Sequence, residues 1–490
     1  MPEPAPRPNI LWICTDQQRW DTIAALGHPG VVTPTLDGLV AGGVAFERCY
    51  VQAPICTPSR GSFLTGLYPS ACRIARNGVP DVPAGTKLVT KMLADAGYRC
   101  GLVGKLHLSA AYYGVEARCD DGYEVFHYSH APRDEWPEGH DYADWVKARG
   151  FSLHELTKDP KGVPPELHQA AWAAERSIDF IDSADPRPWL LSINLYDPHP
   201  PFNPPESYRE QFDPATMPDP LFRPSDLAQQ EKLAPVGFQS RGRDPEQLDI
   251  QHPVLVKAGR QALGLDDDAP SPGARDARSL RAAYFAMIRQ IDDRVGRILD
   301  ALEASGQLAR TVVLFTSDHG EMMGDHGLIQ KGCRFYEGLV CVPMIWSLPG
   351  RFLAGARSDA LVMALDIAPT LLELAGLEVP AAMQGRSLLP LLEGRAPLDH
   401  HHDVVRCEYL ESLAKPVDSR ATMYRDQRYK LCLYHTQNLG ELYDLQEDPG
   451  EFTDLWDSPA HQAIKAELIQ RSFDATVQAL DLGKPRIAPM

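Results

Sequence analysis

Four apolar runs in this chain share one design, in that each breaks off at a pair of reactive polar residues. NILWICT stops at Asp16 and Gln17, YRCGLVG at Lys105 and His107, WLLSINL at Asp197 and His199, and VVLFTS at Asp318 and His319. These runs, at 10–14, 99–103, 189–195 and 312–316, with a fifth at 343–346, have the length and apolar, β-branched content of strands. Helical text lies between them. In RAAYFAMIRQIDDRVGRILDALEASG the residues Tyr284, Met287, Ile288, Ile291, Val295, Ile298, Leu299 and Leu302 recur three or four apart, which predicts one core-facing stripe ended by Gly306. Asp366 as N-cap and a terminal glycine predict a second helix over IAPTLLELAGL. Alternating strands and helices predict an α/β fold, a large mixed, mostly parallel sheet sandwiched by helices. In open sheets of this kind the ligand crevice lies outside the carboxyl ends of the strands, so the four polar tails are expected on one rim.

A chain of 490 residues calls for more than one ordinary compact core, and its text changes twice. From 205 to 280 it turns Pro-rich and charged, as in GLDDDAPSPGARDARS, which predicts an irregular excursion over the substrate face or along the surface. In the last hundred residues RYKLCLYH and GELYDL flank a short polar break and predict a hairpin of a small antiparallel sheet. We therefore expect a catalytic α/β domain at 1–395, carrying the 205–280 insertion, and a smaller α+β subdomain at 396–490. The insertion could also carry the contacts of a homo-oligomer.

Charge narrows the partners. With 48 Lys and Arg against 66 Asp and Glu, the net charge of -18 repels nucleic acid and anionic membrane surfaces. No segment approaches the ~20 apolar residues of a membrane span, and the start MPEPAPRPNI is no signal peptide, so a cytoplasmic setting is expected. The ten cysteines lack the paired spacings of zinc sites and read as reduced, buried hydrophobes. Cys56 must argue against that from its neighbours.

Asp16, Asp318 and His319 are donors of the kind that hold a divalent cation, and a carboxylate just after a buried strand needs a cationic partner. Arg60, Lys105, His107, His199 and Lys331 would ring that site with positive charge and hydrogen-bond donors, which suits a sulfate or phosphate ester whose transition state spreads charge over peripheral oxygens. Asp325 and His326 are expected to support the site or its loop. The HHH run at 400–402 sits in charged text and is expected to be exposed rather than metal-binding.

The same residues resemble the type I sulfatases of the alkaline phosphatase superfamily. CTPSR at 56–60, followed by LTG at 64–66, matches the signature C-x-P-S-R and L-T-G, and the likeness continues through NILWICTDQ, GKLH, DPHPPF, SDHGEMMGDHGLIQKG and the C-terminal hairpin. The resemblance implies an alkaline phosphatase-like fold and a Cys56 oxidised after translation to Cα-formylglycine by a maturation enzyme. One hydroxyl of its hydrate would bind the metal and attack sulfur; the second would let the intermediate expel inorganic sulfate by collapsing to the aldehyde. It further implies that Asp16, Gln17, Asp318 and His319 are metal ligands beside the modified Cys56, and that Arg60 orients the diol. Lys105 and Lys331 would hold sulfate oxygens, His107 assist collapse and His199 protonate the leaving oxygen, while Asn77 resembles a pocket residue of the related phosphonate monoester hydrolases.

Two departures from that family matter. Many sulfatases carry Asp-Asp and Asp-Asn where this chain has Asp16-Gln17 and Asp318-His319, which leaves Ca²⁺, Mn²⁺ and Mg²⁺ open, with the nitrogen donor favouring Mn²⁺ as the alternative to Ca²⁺. These pairs also occur in the phosphonate monoester hydrolase branch, whereas GKLH keeps the Lys-x-His of sulfatases. The expected activity is hydrolysis of small anionic sulfate esters, arylsulfatase-like, with promiscuity toward phosphate and phosphonate esters. The alternatives are a phosphonate monoester or phosphodiester hydrolase on the same site, and an inactive anion-binding protein in which Cys56 stays a thiol.

Overall fold

Thr15, Asn194 and Ser317 end three neighbouring strands at the same height, and this alignment decides where the polar tails go. In the computed structural model, which describes residues 7–111, 114–131, 139–237, 242–248, 276–413 and 418–480, nine strands form the larger sheet. They are β1 (Asn9–Thr15), β2 (Val44–Tyr50), β3 (Arg99–Gly104), β4 (Val125–Tyr128), β5 (Trp189–Asn194), β6 (Thr311–Ser317), β7 (Cys341–Ser347), β8 (Ala356–Ser358) and β9 (Val362–Met363). Their order is β4-β3-β5-β1-β6-β7-β2-β8, with β9 also on β2. Only β7 runs antiparallel to its neighbours, so β1, β2, β3, β5 and β6 all deliver their carboxyl ends to one rim. The large mixed, mostly parallel α/β sheet expected from the runs is present. β2 carries no polar tail and was not among the expected strands.

Every residue of β1, β5, β6 and β7 is buried, because helices cover both faces. On one face Leu11, Ile13, Val313 and Phe315 pack with Ile291, Val295 and Ile298 of the helix Ala277–Ala304; on the other Trp12, Cys14 and Leu314 meet Phe63 and Leu64. That helix starts four residues before the predicted 281 and inside the expected excursion, since Asp276 caps it by accepting from the Ser279 amide.

Four further strands, β10 (Val405–Leu410), β11 (Arg420–Arg425), β12 (Tyr429–Tyr434) and β13 (Leu439–Asp444), pair antiparallel in sequence order, with the predicted hairpin as the last two. One face joins the main core through Cys407, Met423 and Cys432, and the other takes Leu468 of the C-terminal helix Gln462–Gln478. The described part of the 205–280 excursion is less irregular than its composition suggested. The helix Pro224–Leu233 buries Gln230 and Leu233 against Arg334 and reaches the small sheet through Gln229 and Glu441. Most of GLDDDAPSPGARDARS lies outside the described residues.

The histidine run at 400–402 corrects an expectation. His400 is exposed, but His401 and His402 are buried, because both turn in toward the fully buried Asp366. Asp366 does not cap the helix Ile367–Leu374 with its side chain. Its carboxylate accepts from the amides of Met363 and Arg386, each at 2.8 Å, and from His402 Nε2 at 2.9 Å, closing three separate segments onto one charge. Nine of the ten cysteines are buried, Cys119 is half-buried and none is paired. Among the described residues no helix is long and apolar enough to cross a membrane.

Candidate active site

The centre begins with Cys56, the first residue of the fully buried helix Cys56–Thr65 at the carboxyl side of β2. Ile55 at the N-cap has no side-chain acceptor, and Asn77 Oδ1 supplies one from a distance by accepting from the Thr57 amide at 3.0 Å. Asn77, expected as a pocket residue, thus helps fix the turn that presents Cys56. A helix N-terminus carries partial positive charge and favours an anion at that spot.

Around the thiol the tails of β1 and β6 meet. Sγ of Cys56 lies 3.1 Å from His319 Nε2, 2.9 Å from Lys331 Nζ and 3.7 Å from Asp16 Oδ1. One ligand atom each from Asp16, Cys56, Asp318 and His319 falls within 4.8 Å of all the others, and all four residues are buried. Arg60, one turn along the helix, donates from Nε to Asp318 Oδ2 at 2.8 Å and from Nη1 to Asn194 Oδ1 and the Lys105 carbonyl. Lys105 Nζ donates to Asp16 Oδ2, and Lys331 Nζ to Gln17 Oε1 at 2.9 Å. Gly104 makes the approach of Lys105 feasible: its φ is +107°, and a Cβ there would stand 2.0 Å from the Asn194 carbonyl oxygen.

Tyr284, Glu321 and Ser317, which help set this geometry, were not read as site residues in the sequence. Gln17 holds a left-handed φ of 75°, fixed by its amide donating to Asp318 Oδ1 at 3.0 Å, by Tyr284 OH donating to its carbonyl and by its side-chain amide donating to the buried Glu321. That last bond turns Oε1 toward Lys331. Ser317 Oγ ties the tails of β1 and β6 by accepting from the Gln18 amide and by sharing its one proton between the Thr15 and His319 carbonyls, each 3.0 Å away. Ser317 and Glu321 lie beside the Asp318-His319 pair in sequence, whereas Tyr284 carried no signal beyond its place in the helix stripe. Asp325 and His326 go elsewhere: Asp325 pairs with Arg19 and Arg281, and His326 stacks on Tyr336 at 4.0 Å.

Electrostatics follow from burying unequal charges together. Burial pushes the Asp16 carboxyl up, yet Lys105, Lys331 and Arg60 hold it well below the usual carboxylate range. Burial and Asp16 raise the Cys56 thiol, but Lys331, Lys105 and His319 outweigh them and bring it below its ordinary value. His107 and His199 are pushed well below theirs by burial and the nearby lysines, so both imidazoles are neutral. Nδ1 of His319 lies 2.9 Å from the Gly320 carbonyl and Nδ1 of His199 lies 2.8 Å from the Pro200 carbonyl, so each donates its Nδ1 proton there, which leaves Nε2 of His319 facing Cys56; burial lowers His319, but Asp318 and Cys56 outweigh it and raise the imidazole above its ordinary value.

Two carboxylates and an imidazole Nε2 converge where buried anions would otherwise be costly, with the Gln17 amide oxygen joined to them through Lys331 Nζ, a donor set that fits a hard divalent cation. The sulfatase family profile matches residues 8–377, and the C-terminal profile of N-sulphoglucosamine sulphohydrolase matches 324–478. An arylsulfatase of Clostridium perfringens is 29% identical, covering 93% of this chain and 92% of its own. The multifunctional alkaline phosphatase superfamily protein PehA of Trinickia caryophylli is also 29% identical, over 95% of both chains. Among solved structures, a phosphonate monoester hydrolase of Agrobacterium radiobacter superposes with a TM-score of 0.78 at 28% identity, covering 97% of this chain and 96% of its own.

Proposed function

Because the chain belongs to the sulfatase family, we propose that its centre hydrolyses sulfate monoesters to an alcohol and inorganic sulfate, with aryl sulfates as workable substrates. The observation that carries this is the burial of Cys56 within reach of Asp16, Asp318, His319 and Lys331. A thiol kept only for packing would not be surrounded by charge.

In this reading Cys56 is converted by a maturation enzyme to formylglycine, whose hydrate supplies one hydroxyl to attack sulfur and another to release sulfate. Asp16, Gln17, Asp318 and His319 would hold one divalent ion, Ca²⁺ or Mn²⁺ with Mg²⁺ also admitted, which when bound lowers the pKa of a hydroxyl and offsets substrate charge. Arg60, locked between Asp318, Asn194 and the Lys105 carbonyl, orients the modified side chain. Lys105 and Lys331 bind the peripheral sulfate oxygens, where charge grows in the transition state. His199, held by its Nδ1 contact, would take up on Nε2 the proton released by the attacking hydroxyl and pass it to the leaving oxygen; His107 takes the proton that frees the aldehyde. We also take the division near residue 395, and a cytoplasmic setting compatible with ten unpaired cysteines, as parts of this proposal.

Activity toward phosphonate monoesters or phosphodiesters on the same residues is favoured by one observation, the Asp-Gln and Asp-His pairs on a fold that superposes on a phosphonate monoester hydrolase. Comparing kcat/KM on matched aryl sulfate, phosphonate and phosphodiester substrates decides the order, and a sulfate ester worst by orders of magnitude would overturn the proposal. Peptide mass spectrometry of the 56–60 region, from the native source, should find a residue about 18 Da lighter than cysteine. An unmodified peptide together with no turnover would leave a thiol-bearing anion-binding protein.

A further inference from the structure

The three histidines of the centre are not fixed in the same way. His319 and His199 each place Nδ1 on a backbone carbonyl, the usual device that sets both tautomer and ring plane of a working imidazole. His107 has no such anchor. Its Nδ1 is buried without a hydrogen-bond partner, and its backbone sits in the left-handed region at φ 57°, so neither a hydrogen bond nor an ordinary strand end orients the ring. What meets it is a fourth histidine. His130 follows β4, and the parallel register that sets Gly104 opposite Tyr128 carries residue 130 alongside the 105–107 tail of β3. The two rings stand edge to face, with centroids 4.8 Å apart and planes at 78°, the arrangement aromatic pairs prefer.

His130 shares the environment of the centre without sharing its bonds. Burial and Lys105 push it well below the ordinary histidine range, with Asp16 opposing and His140 and Arg60 adding to the fall, so it stands neutral beside His107. Its Nδ1 is also buried and unpaired. A buried, unpaired ring nitrogen costs stability, so the ring is not retained here for a hydrogen bond within the protein.

We propose that His130 is a positioning residue that fixes the ring plane of His107 by edge-to-face packing. It acts through His107 alone, which rests on the sulfatase reading in which His107 takes part in turnover. Ring geometry, and not ring nitrogen, is the property that matters.

The test is a series at position 130 assayed on para-nitrophenyl sulfate. His130→Ala should lower kcat by about tenfold to a hundredfold with little change in KM, the scale on which a misplaced catalytic group is felt. His130→Phe keeps the ring and removes the unpaired nitrogen, so it should retain wild-type kcat with an equal or higher Tm. Added to His107→Ala, His130→Ala should cost nothing further, because the pair acts as one unit. Full additivity, an unimpaired His130→Ala, or a His130→Phe as poor as His130→Ala with the loss in KM, would each overturn the proposal, the last by showing direct contact with substrate. A readout independent of turnover covers the case in which the wild type hydrolyses no sulfate ester, which would sink the functional reading instead. Nitrogen-15 histidine NMR should show one sharp set of His107 ring signals in wild type and His130→Phe and signals broadened by ring motion in His130→Ala; identical signals in all three would refute the positioning role.

Discussion

Two clusters in this molecule are built from the same materials and do opposite things. At the rim of the large sheet, Asp16, Asp318, His319 and Cys56 gather at one buried point; at the entrance to the small sheet, Asp366, His401 and His402 gather at another. In the second cluster the carboxylate is closed off. Each oxygen of Asp366 already accepts a backbone amide, and His402 Nε2 lies within 3.0 Å of both. In the first, one oxygen of Asp318 accepts the Gln17 amide, but the other partners of the carboxylates are the side-chain cations Lys105, Lys331 and Arg60, of which the two lysines can share their charge with a bound ester. Backbone donors make a carboxylate a staple, whereas side-chain cations leave it available for chemistry. Residue types and burial do not separate the two; the wiring does.

The comparison breaks most visibly at the rim. Cys56→Ala and Asp318→Ala should each cut turnover by about a thousandfold or more, beyond the loss of a single oxyanion-hole donor, and Asp318→Ala should also lose bound metal by elemental analysis. Unchanged activity in Asp318→Ala would dissolve the proposed centre. Asp366→Ala should do the reverse. It strands two buried amides and His402, and should cost about 3 to 5 kcal/mol in denaturant unfolding while kcat of the folded fraction stays near wild type.

A buried carboxyl outside both clusters sharpens the contrast through pH. Glu116 is buried near the 105–108 tail, and burial pushes its carboxyl up to about 8 although the amides of Leu108 and His107 and the charges of Arg60 and Lys105 oppose that. The folded state therefore holds a proton that the unfolded chain has released, and stability falls as pH rises between the ordinary 4.5 and about 8, by about 1.4 kcal/mol per unit for this group. Glu116→Gln should flatten that slope in a pH series of unfolding curves, and an unaltered slope would remove Glu116 from the account. The smallest effect belongs to Cys407→Ala. It should cost about 1 kcal/mol of packing and leave turnover untouched, because that thiol meets only the core.

The fold was legible where burial writes uniform text. β1, β5 and β6 read as apolar runs because both faces are covered, and the helix Ala277–Ala304 read from its stripe. β2 was not legible, since its sequence VAFERCY interrupts the apolar text with Glu47 and Arg48 at its partly exposed middle. The reactive pairs were legible because a polar residue straight after a buried strand is rarely idle. Gln17, by contrast, was placed on the right tail, but its dependence on Glu321 and Tyr284 spans more than two hundred positions and leaves no local mark. The histidine run misled for the same reason: charged neighbours at 399 and 403 made 400–402 read as surface, while Asp366, far away in sequence, draws two of the three inside.

Periodicity, strand ends and the CTPSR motif were enough to announce an α/β sheet, a reactive rim and a cysteine marked for modification, because each of these is a short-range pattern that burial or a recognition motif imposes on neighbouring residues. Which polar groups became partners was settled only by the tertiary structure. Parallel register brought the tails of five strands to one height, left-handed turns at Gln17 and His107 aimed them inward, and a fourth histidine at position 130 came to rest on His107 from an edge strand. Hydrogen bonds and ring contacts act over a few ångströms, and chain distance does not enter into them.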